Sequence, residues 1–356
     1  MTFPTVTLSA GALKNNLAVV RRLAPDSRVV AAVKANAYGH GLVPAARALA
    51  DADAFGVARL GEAIVLRDAG ITHPILLLEG VLGGEELQAA AQLRCEIVVH
   101  CFEQISTLEA STAKRAFKVW LKVDSGMSRL GFRLEEFQAA LERLRRCEAV
   151  AGICLMSHLA SADAPGDPAT KQQIDRFESL AGPLGLERSI ANSAGIIAWP
   201  RTRLEWVRPG IMLYGISPFA GRSAASLGLK PAMTLRTRVI AVRDIPVGER
   251  IGYGGIWSAQ RPSRIAVIAI GYGDGYPRCM RTGAPVLING REAPVVGRVS
   301  MDMTMVDVTE LQDTRVGDTV TLWGEELPVE RVAPFADTIA YELVCRVAPR
   351  VRPEWT

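Results

Sequence analysis

Histidine, lysine and paired cysteine are scarce in this sequence, and no long apolar run is present. The four histidines, His40, His73, His100 and His158, form no HxxxH or HExxH pair, which argues against a zinc site. The six cysteines (Cys95, Cys101, Cys147, Cys154, Cys279 and Cys345) show no CxxC and no dense spacing. That is the pattern of reduced thiols in a chain large enough to bury a core without disulfides. Apolar stretches such as Arg264–Ile270 fall far short of the roughly 20 residues that cross a bilayer. The opening residues lack the basic cluster, apolar run and small-residue cleavage site of a secretory signal, so a cytoplasmic protein with no membrane partner is expected. Lys plus Arg is 41 against 37 for Asp plus Glu, and the net +4 is spread along the 356 residues, so nucleic acid is not the expected partner. Hydrophobic residues at 49% and charged residues at 22% exclude general disorder.

Short apolar runs alternate with amphipathic stretches over the first two thirds of the chain. The strand-like runs are Val29–Val33, Ala54–Val57, Ile75–Leu78, Cys95–Val99, Phe117–Val123, Gly152–Met156, Ser189–Ala191 and Val207–Leu213. Between them, helix-like segments include Leu60–Asp68, Glu85–Leu93, Phe102–Ala113, Leu134–Cys147 and Ala169–Leu180. Eight strand–helix repeats suit an α/β fold closed as a (β/α)8 TIM-type barrel better than an open doubly wound sheet, and no GxGxxG follows the first strand. Ala220–Pro231 is small and Gly/Ser-rich and is expected to be a linker. Beyond it, Val/Ile/Thr-rich runs separated by turns, with Asn289-Gly290 suited to a type I′ hairpin, predict a C-terminal mostly-β domain with a short helical tail. The expected division is residues 8–222 for the barrel and 223–356 for the β domain, with residues 1–7 forming a strand that packs on the latter.

Lys34 ends the first strand in VVAAVKANAYGHG, followed by Tyr38 in the loop, and lysine is rare here, at seven residues against 34 arginines. In a barrel that strand end faces the active site. A partly desolvated lysine there can form a Schiff base. It can equally rest its stem on the rim and reach water. Lys122 lies on the fifth strand in KVWLKVDSGMSRLGF, and Arg129 follows in the loop, either as a clamp for a planar anion or as a surface residue. His158 in LMSHLASAD ends the sixth strand. Asn192 and Ser193 in ANSAG, with Arg208, Gly210 and Ile211 in WVRPGIMLYG, end strands seven and eight, where hydroxyls and backbone N–H groups commonly meet phosphate. In the β domain, Tyr253 in IGYGGIWSA, Tyr272 in IAIGYGDGYPR, and Met301 and Asp302 in VGRVSMDMTMVDV interrupt apolar strands, and bulges explain such glycine-rich interruptions as well as function does.

Taken together, these segments and AYELVC resemble alanine racemase over nearly the whole chain. The resemblance implies a pyridoxal 5′-phosphate (PLP) enzyme, a homodimer with shared active sites, interconverting L- and D-alanine to supply peptidoglycan or to degrade D-alanine. By that likeness Lys34 would carry PLP and Tyr253 of the partner subunit would be the second base. Tyr38, Ser193, Gly210, Ile211 and Tyr341 would hold the phosphate, with Asn192 beside them. Arg208 would face the pyridine nitrogen, and His158 next to it would act indirectly. Arg129, Met301 and Asp302 would meet the substrate carboxylate, Tyr272 would stand at the entrance, and Lys122 can be carbamylated in the family. A guanidinium stays charged and disfavours protonation of the pyridine nitrogen, which argues against a decarboxylase of the same fold. The remaining alternatives are a racemase of broader scope, acting on serine or basic amino acids, and a non-catalytic PLP carrier.

Overall fold

Parallel strands buried on both faces read as nearly continuous apolar runs, and such runs build the first domain of the computed structural model, which describes residues 3–356. An initial strand, β1 (Thr5–Leu8), precedes the helix Ala10–Leu23. Then come β2 (Arg28–Ala32), β3 (Ala54–Val57), β4 (Ile75–Leu77), β5 (Cys95–Val99), β6 (Phe117–Lys122), β7 (Val150–Met156), β8 (Glu187–Ser189) and β9 (Trp206–Val207). Strands β2 to β9 pair in sequence order and β2 also pairs with β9, closing a parallel barrel. Alternate side chains divide the core. Val30, Leu76, Val98, Trp120, Cys154, Met156 and Trp206 form the interior cluster. Val29, Ala31, Phe55, Leu77, Ile97 and Val119 point outward to the helices. The helix Phe137–Arg146 shows how those helices dock: Phe137, Ala140, Leu141 and Leu144 form one buried stripe.

The N-terminal mouth of the barrel is stoppered by charge and indole. Glu96 accepts from Trp120 Nε1 at 2.6 Å, and Glu187 accepts from Trp206 Nε1 and Lys118 Nζ, both at 2.9 Å. The functional residues gather at the opposite end.

The second sheet contains β10 (Met233–Ile245), β13 (Ser263–Ile268), β14 (Pro285–Ile288), β15 (Arg291–Val296), β16 (Thr304–Asp307) and β17 (Thr319–Trp323), with β11 (Arg250–Ile251) and β12 (Trp257–Ser258) forming a separate hairpin. The 13-residue β10 pairs with both β17 and β13, so these six strands join in a ring. β1 pairs antiparallel with β10 and parallel with the final strand β18 (Pro353–Trp355), so both ends of the chain join this sheet. Residues 1 and 2 of the expected N-terminal strand lie outside the described residues. Asn289 and Gly290 have φ of 47° and 80° between the paired Ile288 and Arg291, as a type I′ turn requires.

Two expectations are corrected. The eighth barrel strand stops at Val207 because Pro209 has no N–H to give, and Ile211–Tyr214 is a 3₁₀ turn rather than a strand. The seventh strand, β8, lies two residues earlier than expected, at Glu187–Ser189. The expected linker Ala220–Pro231 is packed against the barrel: Ala224 and Leu229 are buried, and the buried Asn16 amide donates to Leu213 O (2.9 Å) and Lys230 O (2.8 Å).

Candidate active site

A cavity of about 1120 Å³ opens at the C-terminal ends of the barrel strands, lined by Lys34, Tyr38, Lys122, Arg129, His158, Asn192, Ser193, Arg208, Gly210, Ile211 and Tyr341. Each barrel residue sits at or just beyond a strand end, and Tyr341 reaches in from the helix Ala340–Cys345 of the β domain. Arg59, ion-paired to Glu79 at 3.5 Å, lines this cavity, and four further cationic side chains, Lys34, Lys122, Arg129 and Arg208, share it. Among the described residues none of these four is ion-paired to a carboxylate within 4.0 Å.

Arg208 is buried, donating to Ser189 Oγ and to the Ser157 carbonyl. Burial lowers its pKa to about 10, so it remains a cation at neutral pH. Its Nη2 lies 3.3 Å from His158 Nδ1. Since a guanidinium only donates, that nitrogen accepts and the proton of the neutral ring sits on Nε2. Burial, then Arg208, Lys122 and Arg129, hold the imidazole well below its ordinary pKa. Lys122 is buried and pushed down to about 8, by burial first and then by Arg208 and Arg129. Lys34 is lowered by burial and Arg129, against the opposing pull of Glu79 and Glu62.

The same cavity holds a set of donors. Ser193 Oγ accepts from Gly210 N–H at 2.9 Å and Met212 N–H at 3.3 Å, which leaves its own proton free to donate. Asn192 caps the following turn through Gly195 N–H (2.9 Å). A Cβ at Gly210 would lie 2.4 Å from Tyr38 Oη, so only glycine lets that hydroxyl approach the backbone. Tyr38 stacks on Tyr214 (centroids 4.7 Å apart) and sits 6.2 Å from Tyr341. Burial raises both Tyr38 and Tyr341, the latter to about 12, so both are neutral hydroxyl donors.

Models of the alanine racemase N-terminal domain and C-terminal domain match residues 8–218 and 232–355. The chain belongs to the alanine racemase family. It is 50% identical over 349 residues to an alanine racemase of Aeromonas hydrophila, covering 98% of each chain. With that of Vibrio cholerae it shares 51% over 348 residues, 98% of this chain and 96% of the other. Among solved structures, the biosynthetic alanine racemase from Pseudomonas aeruginosa superposes with a TM-score of 0.97 at 45% identity, covering 100% of both chains. The alanine racemase from Bartonella henselae with covalently bound pyridoxal phosphate gives 0.91 at 30% identity, again over 100% of both.

The alanine racemase family residues expected from the β domain are placed differently. Tyr253, Tyr272, Met301 and Asp302 do not line this chain's cavity. They are exposed on its β domain, Tyr253 at 66% and Met301 at 53%. Tyr253 sits in a tight turn after β11, held by Arg250 donating to Gly255 O (2.8 Å) and Gly254 O (3.0 Å). The Tyr272 and Met301 loops are joined by Tyr272 N–H to Ser300 O (3.0 Å) and Gly273 N–H to Met301 O (2.8 Å), and Arg350 bridges Asp274 and Asp302 at 2.7 Å each. Sequence reasoning passed over Arg59, Glu79, His100 and Cys345, which also line the cavity. The first three follow β3, β4 and β5, so the strand-end rule applied to every strand would have found them. No helix among the described residues is long and apolar enough to cross a membrane.

Proposed function

We propose that this protein is an isomerase that interconverts L- and D-alanine with pyridoxal 5′-phosphate as cofactor, acting as a homodimer whose two sites each draw on both chains. The observation that carries the reading is Lys34 at the end of β2, facing a cavity in which Lys34, Lys122, Arg129 and Arg208 have no carboxylate partner within 4.0 Å and which also presents hydroxyl and N–H donors. Those donors fit a phosphate dianion. Tyr38, Tyr341, Ser193 and the Gly210–Ile211 segment would hold it, with Asn192 bracing the Ser193 turn. Arg208, buried and charged, would face the pyridine nitrogen and keep it unprotonated, with His158 supporting Arg208 from Nδ1. When bound there, PLP supplies an electron-withdrawing ring that acidifies the α-C–H of an attached amino acid.

Racemisation needs an acid/base group on each face of the α-carbon. Lys34 Nζ would take or give the proton on one face, and Tyr253 of the partner subunit would do so on the other through its Oη. A proton taken by one group is matched by one given by the other, so the pair exchanges roles between the two directions of reaction. Arg129 would bind the substrate carboxylate with the backbone of Met301, beside Asp302, and Tyr272 would stand at the mouth, these three loop residues coming from the second chain. Lys122 would be carbamylated, and its new anion would hold the Arg129 guanidinium in place.

Proton NMR of L-alanine in D2O with the PLP-loaded protein, followed by chiral analysis, tests the proposal. Loss of the α-proton signal with appearance of D-alanine is expected. Absence of exchange for a fully loaded protein would overturn the assignment, and a Lys34→Ala chain that kept the visible cofactor absorbance would overturn the role of Lys34.

A further inference from the structure

Immediately after Lys34 the backbone enters a conformation that every L residue with a Cβ resists. Ala35, Asn36, Ala37 and Tyr38 have φ of 54°, 53°, 53° and 52° in succession, with no glycine among them. Such a run persists only where its surroundings over-determine it. Several of the restraints are local. Ala37 N–H donates to Val33 O (2.8 Å), Gly39 N–H to Ala35 O (3.0 Å) and Gly41 N–H to Asn36 O (2.9 Å), while Asn36 Oδ1 accepts from Leu42 N–H (2.8 Å). At Gly39 a Cβ would meet the Val344 carbonyl at 2.1 Å, so the turn is pressed against the helix that carries Tyr341.

The amide of the Lys34–Ala35 peptide is held from outside the turn. Ala35 N–H donates to Glu62 Oε1 at 2.7 Å, and the other carboxylate oxygen, Oε2, accepts from Ala58 N–H at 2.8 Å and Arg59 N–H at 3.3 Å. Glu62 lies in the first turn of the helix Leu60–Asp68 that follows β3. One carboxylate thus fastens the exits of two neighbouring barrel strands to each other, at the peptide adjoining Lys34. Charge-assisted bonds to backbone N–H groups are the stronger and more directional kind.

We propose that Glu62 is a positioning residue for Lys34, fixing the Lys34–Ala35 peptide against the β3 exit and so setting the direction in which the Lys34 amine leaves the backbone. The inference deepens the proposed function and rests on Lys34 as the PLP lysine. Glu62 touches neither substrate nor cofactor in this role. Its charge also acts on Lys34, together with Glu79 after β4, Arg129 and Lys122 from β6 and its loop, and Cys345 on the helix Ala340–Cys345. The two contributions have opposite signs. Loss of the Glu62 charge alone would lower the Lys34 pKa, free more amine at neutral pH and speed attack on an aldehyde. Loss of the positioning contact would slow it.

The test follows capture of PLP by the full-length apo chain across a pH series, by visible absorbance and by mass after borohydride reduction. Glu62→Ala is expected to slow capture by about tenfold to a hundredfold, the scale set by misplacing a reacting group. In the reloaded enzyme it should lower kcat while leaving the KM for alanine unchanged. Glu62→Gln keeps one acceptor oxygen and is expected to recover part of the rate, with its pH profile displaced to lower pH. Capture by Glu62→Ala as fast as in the unaltered chain, or faster, would overturn the proposal. Should Glu62→Ala fail to fold, Glu62→Gln decides: a rate equal to or above that of the unaltered chain overturns it. A Lys34→Ala chain that still formed the reducible adduct would remove the Lys34 assignment and this inference together. An adduct-free Lys34→Ala with full-rate Glu62→Ala would remove only the role of Glu62.

Discussion

At Gly210 a single hydrogen atom separates an open cradle from a blocked one. A methyl there would stand 2.4 Å from Tyr38 Oη, and the Tyr38 ring is backed by Tyr214, itself fully buried with its hydroxyl on Ala32 O at 2.8 Å. Gly210→Ala is expected to cost about 1–3 kcal/mol of stability by overpacking and to weaken PLP binding about tenfold by turning the Tyr38 hydroxyl away. Titration of the apo chain with PLP checks this, and an unchanged affinity would take Tyr38 out of the phosphate cradle. Lys122 yields a prediction in pH. Its folded pKa of about 8 lies below the ordinary 10.5, so between those values the unfolded chain binds the extra proton. Stability should therefore rise with pH through that window, and the penalty should be fully present below it. In CO2-free buffer, urea midpoints of the unaltered chain should climb between about pH 8 and pH 10 more than those of Lys122→Met. The depressed pKa also leaves neutral amine to attack CO2 at neutral pH, forming an N–C bond and releasing one proton. Carbon-13 bicarbonate should then give a carbamate resonance that Lys122→Met lacks, and no such resonance in the unaltered chain would refute carbamylation.

Among the elements, those whose period and composition agree were readable: the strands Ala54–Val57 and Cys95–Val99 and the helix Leu60–Asp68 stand where the apolar pattern puts them. β9 was overread because Ile211–Tyr214 is apolar for a different reason, packing a 3₁₀ turn between the two domains, and composition does not distinguish the two. The left-handed turn after Lys34 was invisible, since Ala35, Asn36 and Ala37 carry no glycine signal and the turn is held by partners such as Glu62 that are remote in sequence. The barrel part of the site was legible because strand ends in a closed parallel barrel must share one face. The loops of the β domain offered no such rule. Their order comes from Arg350, near the end of the chain, which joins the buried Asp274 to Asp302. Arg350→Ala should loosen the Met301 loop, raising the KM for alanine several-fold with a smaller fall in kcat, as for a group that orients substrate. Steady-state kinetics of the two chains measure this, and an unchanged KM would separate the Met301 loop from the substrate carboxylate.

On the scale of the whole molecule, the proposed mechanism has one chain supply only half of a two-base site. Lys34 lies in the barrel cavity, whereas Tyr253 is exposed on the β domain, as are the side chains of Ile256, Met301 and Met303. In the proposed homodimer, a two-fold pair of chains would bring each β-domain loop set to the other chain's cavity. The arrangement has an arithmetic consequence. Lys34→Ala and Tyr253→Phe homodimers should each be inactive in racemisation, because every site lacks one base. In a mixed dimer, one site combines the intact Lys34 of one chain with the intact Tyr253 of the other, and the second site lacks both. After dissociation and random re-pairing of equal amounts, half the dimers are mixed and half of their sites are complete, so activity should return to about a quarter of that of the unaltered enzyme. Sites contained within single chains would give no recovery at any mixing ratio, and that result would overturn the shared site while leaving Lys34 in place.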